Sequence, residues 1–108
     1  MNMDTFFAAV AEPNRLRIIE MLRDGPSSVN ALVERLHLKQ PLVSKHLRIL
    51  AGAGVVRVRP QAQLRFYELD EAKFKEIDMW LDTFAHTWTQ RLENLDTVLQ
   101  DMEEDSGR

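Results

Sequence analysis

The period of the apolar residues changes once along this chain, and that change limits the folds open to it. Up to Leu50 apolar side chains recur at helical spacing. Beyond Gly52-Ala53-Gly54 they alternate, first in Val55-Val56-Arg57-Val58-Arg59 and then in Leu64-Arg65-Phe66-Tyr67-Glu68-Leu69. Alternation on either side of Pro60-Gln61-Ala62-Gln63 specifies a β-hairpin with a loop of about four residues. The helical part is clearly punctuated. Phe6, Phe7 and Val10 mark a short first helix. Pro13 opens a second, because a missing N–H costs nothing in the first turn, and Leu16, Ile19 and Leu22 carry it to Gly25-Pro26. Ser27 or Ser28 caps a third that holds Val29, Leu32, Val33 and Leu36. His37-Leu38-Lys39 connects tightly to a fourth, which opens at Gln40-Pro41 and runs through Val43, Leu47 and Leu50.

Asp70 caps a last helix whose apolar residues, Ile77, Leu81, Phe84, Trp88, Leu92, Leu95, Leu99 and Met102, step by four or three. Its length is about 45–50 Å at the usual helical rise. Thr83, Thr87 and Thr89 are indifferent helix formers and favour a break near its start. The tail from Glu103 onward is expected to fray. Short helix, turn, helix and hairpin make a winged helix-turn-helix. The expectation is a mainly α fold with a β-hairpin wing: a single domain with its helix-turn-helix at about residues 28–51, its wing at about 55–69 and a long C-terminal dimerisation helix at about 71–103.

Charge is distributed in the same pattern. The chain of 108 residues has a net charge of −3, yet Arg35, Lys39, Lys45, Arg48, Arg57, Arg59 and Arg65 fall in one run without an acid. A phosphate backbone demands such a block, because each Lys or Arg contact releases a condensed counterion. The acidic remainder would keep the rest of the molecule off nucleic acid. On a wheel of about 100° per residue, Gln40, Pro41, Ser44, Lys45 and Arg48 share one face of the fourth helix, and Val43, Leu47 and Leu50 share the other. A helix that reads DNA needs this division, with aliphatic residues packed inward and amide, hydroxyl and guanidinium groups entering the major groove.

The stretch Glu12-Pro13-Asn14-Arg15-Leu16-Arg17-Ile18-Ile19 resembles the start of the second helix in the ArsR/SmtB family of winged-helix repressors. Gln40-Pro41-Leu42-Val43-Ser44-Lys45-His46-Leu47-Arg48-Ile49-Leu50 resembles its recognition helix, and Gly52-Ala53-Gly54-Val55-Val56 through Arg65-Phe66-Tyr67-Glu68-Leu69 its wing. Trp80-Leu81, Trp88, Arg91-Leu92 and Leu95 resemble a metal-independent branch. The resemblance implies a homodimeric transcriptional repressor that binds imperfect palindromes in double-stranded DNA, often near its own promoter. The family usually has Ser or Thr where this chain has Lys39, and Gly-Arg where it has Ala62-Gln63. The cysteine motif that binds thiophilic metals in the founding members is missing, and the chain has no cysteine at all.

The expected DNA-binding residues are therefore Lys39, Gln40, Pro41, Ser44, Lys45, Arg48, Arg57, Arg59, Gln63 and Arg65. The expected dimer seam is Phe6, Phe7, Leu81, Phe84, Trp88, Leu92 and Leu95. A row of that kind could instead line a small-molecule pocket, but at helical spacing it is more often core or seam. Arg15 and Arg17 could touch DNA backbone or serve as surface charges. His46 lies off the groove face and reads as a packing histidine. Asp78, Asp82 and His86 stand four apart on one face of the last helix, but zinc or nickel needs more ligands at matched spacing, so no metal and no cofactor is expected. Without cysteine, a Gly-rich phosphate loop or an acid–base pair, an enzyme is not expected either. No signal peptide or membrane span is read, which makes a cytoplasmic protein the expectation, and the residues point to no particular effector. The rival function is a winged-helix interaction module that has lost DNA binding and meets an acidic protein through its basic block.

Overall fold

A computed structural model describes residues 3–106, with side chains through Glu103. It separates into two compact units, the first ending at Phe74 and the second beginning at Lys75.

In the first unit, α1 (Met3–Val10) and α2 (Pro13–Leu22) precede α3 (Val29–Leu36) and α4 (Gln40–Gly52). Pro13 stands at the start of α2 as its chemistry requires, and Glu12 caps that helix by accepting a hydrogen bond from the Arg15 N–H at 2.9 Å. Ser28 is the cap of α3, its hydroxyl accepting from Ala31 N–H at 3.2 Å. His37 ends α3 in the left-handed region, with φ of 57°.

The wing pairs β2 (Val56–Gln61) with β3 (Leu64–Leu69), from Val56 opposite Leu69 to Gln61 opposite Leu64. The loop is thus two residues, Ala62 and Gln63, rather than four. Pro60 is absorbed into β2 because β2 lies at the edge of the sheet beside β3, where a missing N–H breaks no ladder. The third strand, β1 (Ser27–Ser28), adds to β3 opposite Tyr67 and Phe66 and was not expected. Two residues carry no readable period. Gly54 turns the chain from α4 into the wing at φ of +76°, a conformation that favours glycine; a Cβ there would also meet Lys73 Cε at 3.0 Å, the end of a flexible side chain that can give way.

Ile18, Leu32, Val43, Leu47, Leu50 and Val55 are fully buried and form the centre of the core. Phe6 lies at its margin, edge-to-face with Phe74 at 5.6 Å between centroids and with Phe7 at 5.4 Å.

The helix α5 (Glu71–Ser106) starts where expected, with the Asp70 carboxylate accepting from Lys73 N–H at 3.1 Å. It has no break. Thr83, Thr87, Thr89 and Thr97 turn their hydroxyls back onto carbonyls three or four residues earlier, at 2.6–3.1 Å. Each of these hydroxyls thus has a partner within the helix. The helix also continues past Glu103 to Ser106 instead of fraying there, and residues 107–108 lie outside the described part.

Candidate nucleic-acid interface

The short connection after α3 fixes where α4 begins, and the side-chain pattern of α4 fixes which face looks outward. Val43, Leu47 and Leu50 are completely buried. Gln40, Pro41, Lys45 and Arg48 are exposed and Ser44 half-buried, so the polar face read from the sequence is the outward face. Gln40, Ser44, Lys45 and Arg48 make no side-chain hydrogen bond or ion pair among the described residues. Lys39 occupies the N-cap of α4 in extended conformation, and its side chain forms no capping bond. The ammonium is left to solvent or to a ligand.

The wing holds its cations differently. Arg57 and Arg59 lie on the same side of β2, as alternation requires. Both are engaged by one acid: Arg57 Nε donates to Glu68 Oε1 at 2.8 Å, and Arg59 Nη2 lies 3.3 Å from Glu68 Oε2. The Glu68 side chain is only 13% exposed, whereas the two arginine side chains are more than half exposed. Glu68 is a site residue that the charge count overlooked, because that count closed at Arg65. The register Arg57 opposite Glu68 was the signal that could have found it. Arg65 and Gln63 are exposed at the far end of the wing.

Arg15 is turned inward instead of standing free. It donates to the Ala9 carbonyl through Nε, and its Nη1 lies 3.3 Å from Nδ1 of His46. His46 is buried, and Glu12 Oε2 stands 3.7 Å from the same nitrogen. Burial alone would raise the Glu12 carboxyl. The N–H groups of Arg15 and Asn14, with the charge of the Arg15 guanidinium, outweigh it and hold the group below its ordinary value.

The expected seam residues divide. Phe6 is buried within the first unit and Phe7 is 37% exposed beside it. On α5, Leu81, Phe84, Trp88, Leu92 and Leu95 are all about half exposed, and Phe84 packs edge-to-face on Trp80 at 4.7 Å. Asp78, Asp82 and His86 are exposed, and the described residues contain no group of three or more acids and histidines placed to hold a metal. No described helix is long and apolar enough to cross a membrane.

The sequence profile described as "Bacterial regulatory protein, arsR family" matches residues 12–58, which contain α2, α3, α4 and the start of the wing. The HTH-type transcriptional repressor SmtB of Mycobacterium tuberculosis is 41% identical over 78 residues, or 72% of this chain. The chain spans only 56% of the length of that repressor. The HTH-type transcriptional regulator Rv2034 of the same species is 36% identical over 82% of this chain and 80% of its own length. Among solved structures, HlyU from Vibrio cholerae superposes with a TM-score of 0.64 at 35% identity, covering 76% of this chain and 89% of its own.

Proposed function

The chain belongs to the arsR family of bacterial regulatory proteins, and on that footing we propose that it is a homodimeric transcriptional repressor that binds an imperfect palindrome in double-stranded DNA. The observation that carries this is the outward face of α4. Gln40, Ser44, Lys45 and Arg48 stand together without side-chain partners among the described residues, while Val43, Leu47 and Leu50 of the same helix are wholly buried. Surplus donors and acceptors of this kind are what base edges in the major groove require. Lys39 and Pro41 flank the face at the helix start, and Arg57, Arg59, Gln63 and Arg65 place further polar groups along the wing. In this reading α4 specifies sequence, the wing holds phosphate, and exposed α5 residues with Phe7 join two copies so that both half-sites are occupied.

The test is selection of duplexes by the purified chain from a random-sequence library, followed by binding of the selected and scrambled duplexes across a salt series. Gln40→Ala should lower the preference for the selected duplex, since one good base contact is worth about 1–3 kcal/mol. Arg59→Ala should weaken both duplexes alike and flatten the salt dependence by about one counterion. Equal losses on both for Gln40→Ala, with no change for Arg59→Ala, would reject this docking. A chain that enriches no duplex would turn attention to an acidic protein partner instead.

A further inference from the structure

The aliphatic face that seats α4 is non-directional. Val43, Leu47 and Leu50 bury well over a range of helix rolls, since apolar burial depends on area and not on angle. A roll of about 10° nevertheless moves side-chain ends by about 1 Å at a helix radius of about 5–6 Å, enough to spoil a bidentate base contact. Something directional must fix the roll, and among the described residues Arg15 is placed to do so. Arg15, on α2, grips the carbonyl of Ala9 in the last turn of α1 and simultaneously reaches Nδ1 of His46 on α4 at 3.3 Å. Guanidinium groups only donate, so the contact requires Nδ1 to accept and His46 to carry its proton on Nε2. Glu12 holds the Arg15 backbone in place, its carboxylate accepting from the Arg15 N–H at 2.9 Å. Lys45 and Leu47, on either side of His46, belong to the outward and the buried face.

We infer that Arg15 is a positioning residue for DNA reading, fixing the roll of α4 against α1 and α2 through His46 and making no contact with DNA. The inference rests on the DNA-binding function proposed above. A planar fork with several donors serves two acceptors on different helices at once, which an ammonium on a flexible stem cannot reproduce.

The experiment compares Arg15→Lys and Arg15→Met with the wild type, on the library-selected and scrambled duplexes across a salt series. Both variants should lose about fivefold or more in preference for the selected duplex, with the salt slope unchanged. If Arg15 instead touched phosphate, Arg15→Lys would bind nearly as the wild type does. Arg15→Met would then weaken both duplexes equally and lower the slope by about one counterion, and the inference would fall. His46 is the independent arm, should Arg15→Met fold poorly. His46→Gln supplies an amide oxygen to the guanidinium and should keep the preference, whereas His46→Leu should lose it. Equal behaviour of the two overturns the clasp. Nitrogen NMR of the His46 ring reads the contact directly: the wild type should show the Nε2–H tautomer, with the Nδ1 resonance displaced in Arg15→Met, and an unmoved resonance is again contrary. A wild type that prefers no duplex overturns the DNA-reading function and this role together. A wild type that discriminates, with variants that discriminate equally, overturns only the role of Arg15.

Discussion

Leu47 on α4 and Leu92 on α5 are the same side chain on two amphipathic helices, one 0% exposed and the other 55% exposed. The difference extends to their surroundings. In the first unit Ile18, Leu32, Val43, Leu50 and Val55 are fully buried, while along α5 Leu81, Phe84, Trp88, Leu95 and Leu99 stay about half exposed. A unit that closes its own core can be folded without a second chain. A helix of 36 residues with an open apolar row is in a different position, because helices in proteins draw most of their stability from packing such a face. The two regions teach that the winged helix draws its order from burial within one copy, whereas the homodimer proposed above would supply the packing that α5 lacks.

Equal mutations should therefore have unequal consequences. Leu47→Ala removes a fully buried side chain and should cost about 2–5 kcal/mol in thermal or denaturant unfolding, whatever the protein concentration. Leu92→Ala should act through association, reducing the rise of melting temperature with concentration that a dimer shows. Trp88→Glu combined with Leu92→Glu should abolish that rise, give a monomer in sedimentation and remove tight DNA binding. A wild type that sediments as a monomer at micromolar concentration while binding DNA tightly would break the comparison.

A second contrast lies inside the first unit, between unpartnered groups on α4 and the compensated arginines of the wing. Glu68→Gln should release Arg57 and Arg59 from their shared carboxylate. Binding to scrambled duplex should strengthen and its salt dependence steepen by about one counterion, with the preference for the selected duplex little changed. An unaltered slope in a salt titration would mean that these guanidiniums reach no phosphate.

What was legible in the sequence follows the same division. The two faces of α4, the proline start of α2 and the caps Ser28 and Asp70 depend on local spacing, and all stand where the residues placed them. The features that were missed depend on contacts between distant segments. The clasp joins Arg15 to His46 across 31 positions, and the wing's acid is set by a cross-strand register that becomes visible only once the loop is known to be two residues long. The break expected in α5 rested on threonine propensity, a weak prior, and the helix runs on through Thr83, Thr87 and Thr89.

Smaller changes should sharpen the division further. Lys39 caps α4 with no side-chain bond, so Lys39→Ser should stabilise the first unit by about 0.5–2 kcal/mol. The same change removes an ammonium beside the α4 face and should weaken both duplexes equally. Calorimetry on the free chain and binding at fixed salt separate the two effects.

The smallest expected effect is at the wing tip. Ala62, the first of the two loop residues, has φ of +58°, where a Cβ costs about 1–2 kcal/mol. Glycine removes that strain but brings a freer unfolded chain, which returns about 0.5–1 kcal/mol. Ala62→Gly should thus gain about 0.5–1 kcal/mol, a rise of a few degrees in melting temperature. Because the strain belongs to a turn within the first unit, the gain should be the same at low and high protein concentration. No charge is added, so binding to scrambled duplex should not change. A gain that grew with concentration would place the wing tip in the association of two copies, and the separation between a self-sufficient winged helix and a dependent α5 would no longer hold.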